Sequence, residues 1–78
     1  MAPPIDADEI ERRFRYYPPD EHRRLLHQAV RDEFRGTAHR LADILPESRE
    51  KSLALTALEE GLMWANAAVA RNVPDEGG

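Results

Sequence analysis

The placement of proline constrains this chain more than any other feature. Pro3-Pro4 and Pro18-Pro19 bracket a short acidic stretch, Pro46 sits past the middle and Pro74 stands near the end. Between Pro19 and Pro46 there is no proline and one glycine, Gly36; between Pro46 and Pro74 there is again one glycine, Gly61. Proline breaks helix interiors and central strands alike, so regular structure must form inside these two tracts. Neither tract alternates apolar and polar residues with period two for long enough to make a strand. The pattern predicts an all-α chain of two long helices, preceded by a short helix over residues 7–14.

The first long helix is expected to start at Pro19 or Asp20. Proline suits a first turn because its missing N–H would lack a partner there, and Asp20 and Glu21 complement the positive helix end. Leu26, Val30, Phe34, Thr37, Leu41 and Ile44 recur in steps of three and four, which marks one helix face. Leu25, Ala29, Ala38, Ala42 and Leu45 widen that stripe. The helix stops before Pro46, since the residue preceding a proline avoids the α region. The second helix takes Ser48 as N-cap, Glu50 in its first turn and Arg71 in its last, with Asn72 closing it and Pro74 forbidding continuation. Its stripe is Leu55, Leu58, Leu62, Ala65 and Val69. The connection at Pro46-Glu47 is so short that the two helices must fold back as an antiparallel hairpin.

With 78 residues the chain forms one domain, 1–78, with flexible ends expected at about 1–6 and 74–78. A chain this short buries only roughly 60% of its unfolded surface, and without cysteine there is no disulfide to help. The second helix is also apolar beyond its stripe, at Leu53, Ala54, Ala57, Met63, Trp64, Ala67, Ala68 and Ala70. A helix apolar nearly all round is buried nearly all round, and one hairpin partner cannot cover it. Several hairpins are therefore expected to pack as a homo-oligomer. The competing reading lets the short N-terminal helix cover the remaining face of a monomer.

No apolar run is long enough to span a membrane, and the N-terminus lacks the basic flank and apolar stretch of a signal peptide. The chain reads as soluble and intracellular. Eleven basic against fifteen acidic side chains leave a net charge of −4, which argues against a general coat for DNA or RNA.

The charges are segregated, however. Residues 1–11 hold four acids and no base, whereas residues 12–40 hold eight arginines against four acids. The chain has ten arginines and one lysine, Lys51. Arginine brings a planar fork that grips phosphate and stacks on flat rings. The plainer account pairs each arginine with acids at helical spacing, as Arg31 with Glu33 neighbours across an interface. Tyr16-Tyr17 stand between Arg15 and a stiff Pro-Pro break, where an aromatic can serve as a platform for a base. The plainer account packs one tyrosine over the hairpin and leaves the other half exposed.

Chemistry-bearing constellations are missing. His22, His27 and His39 are spaced by five and twelve, so His22 and His27 do not share a helix face, and no metal-binding spacing exists. There is no cysteine nucleophile, no Gly-Xaa-Ser-Xaa-Gly turn and no Gly-rich phosphate loop. Glu59-Glu60 are adjacent and so do not pair on one face. No cofactor and no catalysis are expected; binding remains.

The run from Pro46-Glu47-Ser48-Arg49-Glu50-Lys51-Ser52 through Met63-Trp64-Ala65-Asn66-Ala67 to Arg71-Asn72 resembles the C-terminal helix of the phage cyclic-oligonucleotide sponges. These form a hairpin-domain family that inhibits CBASS and related Thoeris immunity. Phe14-Arg15-Tyr16-Tyr17-Pro18-Pro19 is similar to that family's aromatic and proline before the long helix, and the resemblance spans roughly residues 14–72. It implies a small helical protein, a homohexamer in the family, that holds cyclic di- and trinucleotides without cleaving them, in the cytoplasm of the infected bacterial host. Partners such as polymeric DNA, RNA or membrane are not implied.

By the same resemblance, a cyclic dinucleotide would meet Tyr16, or Tyr17 if the loop is rotated, and a phosphate-contacting residue near Arg31. Arginine rather than lysine at that position is a departure that bears on which ligands bind. A second site, suited to cyclic trinucleotides, would use Arg49 at a helix N-terminus, where free N–H groups favour an anion, with Lys51 assisting. Arg71 and Asn66 are weaker members, since Arg71 could serve only the helix dipole and Asn66 only an interhelical hydrogen bond. The rival from another class is a helical protein–protein adaptor or antitoxin-like module.

Overall fold

The computed structural model describes residues 5–18 and 20–74. They form three helices: α1 Ala7–Phe14, α2 Glu21–Ile44 and α3 Arg49–Asn72, with no strand among the described residues. Each helix opens on a side-chain cap that accepts one of the N–H groups left over at a helix start. Asp6 accepts from the Glu9 N–H at 2.9 Å, Asp20 from that of Arg23 at 2.7 Å, and Ser48 from that of Lys51 at 3.1 Å. Of the two expected starts for α2, Asp20 is thus the cap just outside the helix, and Pro19 lies outside the described residues. Among the ends expected to be flexible, residues 1–4 and 75–78 also lie outside them, whereas Asp6 caps α1.

α2 and α3 are joined by only four residues, 45–48, and pack as the expected antiparallel hairpin. The Ser48 hydroxyl donates to the Pro46 carbonyl at 3.0 Å and tightens the turn. Leu26, Val30, Phe34 and Leu41 meet the other helix half-buried, as do Leu55, Leu58, Leu62 and Val69. Gly61 lets the Phe34 ring come close: a Cβ there would stand 3.1 Å from Phe34 Cε1. Ile44 departs from the expected stripe and is 74% exposed, because it is the last helical residue before the turn.

The chain is flat, 46 × 34 × 17 Å overall, the shortest dimension being less than two helix diameters. One layer of helices cannot enclose a core, and among the described residues no apolar side chain is fully buried. The accessible surface is 6358 Å² for an 8.9 kDa chain, against about 4,800 Å² for a compact monomer of that mass. Trp64 is 64% exposed, and Leu53 and Met63 are exposed elsewhere on α3. α1 does not cover them. It sits at the open end of the hairpin, where Arg12 Nη2 donates to Asn72 Oδ1 at 2.6 Å, and its own Phe14 is 83% exposed. No helix of the described residues is long and apolar enough to cross a membrane.

Candidate functional site

The connection from α1 to α2 brings Arg15, Tyr16, Tyr17 and Pro18 against the last turn of α3. Together with Arg23, Arg71 and Val73 they line a largely polar cavity of about 250 Å³. The two tyrosines are divided as their surroundings require. The Tyr17 hydroxyl donates to the Arg12 carbonyl at 2.7 Å, which closes the loop back onto α1 and half-buries the ring. Tyr16 has no such tether, and its ring is 78% exposed at the cavity mouth. Of the pair, Tyr16 offers a face to something else.

Three arginines line the same cavity with different commitments. The Arg15 side chain meets no partner among the described residues. Arg71 reaches toward the Arg13 carbonyl at 3.5 Å, a long contact that leaves most of its guanidinium donors open. Arg23 is only 5% exposed; its guanidinium donates to Asp20 Oδ2 at 3.0 Å and to the Val73 carbonyl. An exposed aromatic face flanked by cations can stack a flat ring and hold a negative group beside it.

The other sequence-predicted residues fall elsewhere within the protomer. Arg31 donates to Gln28 Oε1 at 3.1 Å, not to an acid, and lines a separate apolar groove of about 270 Å³ with Phe34, Arg35, Leu55, Leu58 and Leu62. Asn66 Oδ1 lies 2.8 Å from His27 Nδ1, an interhelical hydrogen bond of the kind its position allowed. Arg49 stands in the first turn of α3 with no side-chain partner among the described residues. Lys51 is largely covered and pairs with the exposed Glu47. Arg49 and Arg71 are roughly 33 Å apart along α3 at 1.5 Å per residue, so one protomer cannot bring them together. Arg71 instead shares the cavity with the tyrosines.

Most remaining arginines follow the plain pairing pattern. Arg13 and Arg12 contact Glu9 at 2.9 and 3.7 Å, Arg24 contacts Glu21 at 2.8 Å and Arg35 contacts Asp32 at 2.9 Å. The hydrogen bond from Arg13 holds the Glu9 carboxyl below its ordinary range, and that from Arg24 does the same for Glu21. Neither acid lines the cavity. Among the described residues no cluster of histidines and acids could hold a metal ion.

Arg15 and Arg23 were not singled out by the sequence argument. Arg15 carried a usable signal, being the cation next to Tyr16-Tyr17. For Arg23 the signal was weaker: Asp20 and Arg23 are spaced as a cap and its third helical residue, but the partner at Val73 is fifty residues away.

Compared with known proteins, this helical hairpin with a loop aromatic at its open end matches the Acb2/Tad1 hairpin domain over residues 6–70. The chain therefore belongs to that family, whose members sponge cyclic nucleotide signals in evading CBASS and Thoeris defence. No curated protein and no solved structure matches it.

Proposed function

We propose that the chain is a phage-type anti-defence sponge that binds and sequesters cyclic di- and trinucleotide immune signals in the infected bacterial host's cytoplasm without cleaving them. The observation that carries this reading is the exposed Tyr16 ring at the mouth of a cavity walled by Arg15, Arg23 and Arg71, in a member of a sponge family. A cyclic dinucleotide presents base faces and two phosphates, which an aromatic platform and guanidinium forks match.

Tyr16, with Tyr17 behind it, is assigned to the dinucleotide. Arg31 contributes from a second copy. The cavity of about 250 Å³ is smaller than the roughly 300–1,000 Å³ that small-molecule sites enclose, so one protomer supplies part of a cleft. The surplus surface and the exposed Leu53, Met63 and Trp64 support assembly of several copies, a hexamer as in the family. Symmetry then repeats Arg49 and Lys51 around a second site for cyclic trinucleotides, while Arg71 and Asn66 serve the open end and the helix pairing.

Calorimetric titration against a panel of cyclic di- and trinucleotides tests the reading, followed by heating to recover the ligand. Micromolar or tighter binding with intact ligand returned is expected. Linear products would make the protein a hydrolase. Absence of binding would favour the adaptor reading, in which the groove around Phe34 and Leu58 receives another protein's helix.

A further inference from the structure

We propose that Arg23 is a positioning residue for the Tyr16–Tyr17 platform: it holds the loop in place without offering its own charge to a ligand. This rests on the binding function proposed above.

Arg23 is the one buried residue among those described, and it is a cation. Taking a guanidinium out of water is costly unless its donors are met. Its location adds to the cost, because a cation in the first turn of α2 opposes the helix dipole. The local geometry offsets much of this through the two Nη groups, while the buried Nε has no hydrogen-bond partner among the described residues. The Asp20 carboxylate accepts the Arg23 backbone N–H on Oδ1 at 2.7 Å and its Nη1 on Oδ2 at 3.0 Å. Nη2 donates in the other direction, to the carbonyl of Val73, which caps the negative end of α3. One planar group thus ties the start of one long helix to the end of the other.

That tie sits directly behind the platform. Asp20 follows the Tyr16-Tyr17-Pro18 segment closely in sequence, and Val73 lines the same cavity as both rings. On its other side the loop is held by the Tyr17 hydroxyl on Arg12, and Arg12 in turn reaches Asn72. The loop is therefore held from both sides, and both sides lead to the end of α3. Without Arg23 it is held from the α1 side alone, by the Tyr17 hydroxyl and the long contact from Arg71 to the Arg13 carbonyl. Lysine keeps the charge but lacks the planar fork that serves Asp20 and Val73 at once.

Backbone 15N relaxation on the full-length, ligand-free protein tests this first, comparing wild type with Arg23→Lys and Arg23→Met. Lower order parameters are expected at Arg15, Tyr16 and Tyr17 with the centres of α2 and α3 unchanged. Titration with a cyclic dinucleotide follows: Arg23→Lys should weaken binding about tenfold, the scale of a lost charged hydrogen bond. In a Tyr16→Ala background it should cause no further loss, because Arg23 acts through that ring. Unchanged loop order parameters, order that falls everywhere alike, or losses that simply add would each overturn the assignment. If wild-type protein bound no cyclic dinucleotide, the proposed function would fail, while loop relaxation would still decide whether Arg23 sets the loop.

Discussion

At the turn end of the hairpin, four residues connect α2 to α3, and one hydroxyl organises them: Ser48 accepts the Lys51 N–H and donates to the Pro46 carbonyl. At the open end the same two helices are finished by a network. Asp20, Arg23 and Val73 join α2 to α3, while Arg12, Asn72 and Tyr17 bring in α1 and its loop. The first end is local and leaves its cation, Arg49, with no side-chain partner. The second is built from contacts distant in sequence, which commit Arg12 and Arg23 internally. What remains open there is the Tyr16 face with Arg15 and most of the Arg71 guanidinium beside it. The difference points to two modes of recognition, one that joins stacking to charge and one led by charge alone.

Substitutions at the two ends can break or sharpen that contrast. Tyr16→Ala should have the largest effect, a loss of about 1–3 kcal/mol in cyclic dinucleotide binding, the scale of one stacked base, with oligomer mass unchanged. Titration and light scattering check it, and retained affinity would remove Tyr16 from the site. Arg49→Ala should cost about 1.5 kcal/mol in trinucleotide binding and less for dinucleotides. Equal losses for both ligands would mean that the ends are not separate sites. Ser48→Ala should destabilise the hairpin by about 1 kcal/mol, read from denaturant unfolding, because it removes the cap of α3. No change there would mean that the turn needs no side-chain cap.

At the exposed pairs of α1 and α2 acid should produce the smallest effect. Glu9 has its folded pKa lowered from 4.5 by the hydrogen bond from Arg13 and the charges of Arg13 and Arg12. The support it gives α1 is therefore complete above the unfolded value and fades as pH falls through the lowered one. Glu21 behaves alike through Arg24. The protection of the α1 amides, taken as exchange relative to the intrinsic rate at each pH, should fall between about pH 5 and pH 3, below the unfolded carboxylate value. Protection that rises in acid would reverse the sign and exclude these pairs as the cause.

The fold was legible where it depends on neighbours in sequence. Pro18, Pro46 and Pro74 marked the breaks, Asp20 the start of α2, Ser48 the cap of α3, and steps of three and four the facing stripes. The shortness of the Pro46-Glu47 connection dictated the antiparallel turn. The site was legible in part. Tyr16 beside Tyr17, next to a stiff break, indicated a platform, but the choice between the rings depended on whether the carbonyl of Arg12 lay within reach of one hydroxyl. Arg71 was grouped with Arg49 by residue type and family likeness, and the length of α3 separates them within a protomer. Arg23 looked like any other helical arginine.

Local rules by themselves determined three helices, the cap of the last, a tight hairpin and too much apolar surface for one thin layer, since proline, cap chemistry and helical period act over a few residues. Only the tertiary structure decided which arginine is buried, which tyrosine is tethered and which cations share a cavity. Those outcomes depend on where the end of α3 lies against the start of α2, some fifty residues away along the chain, where side-chain spacing carries no information.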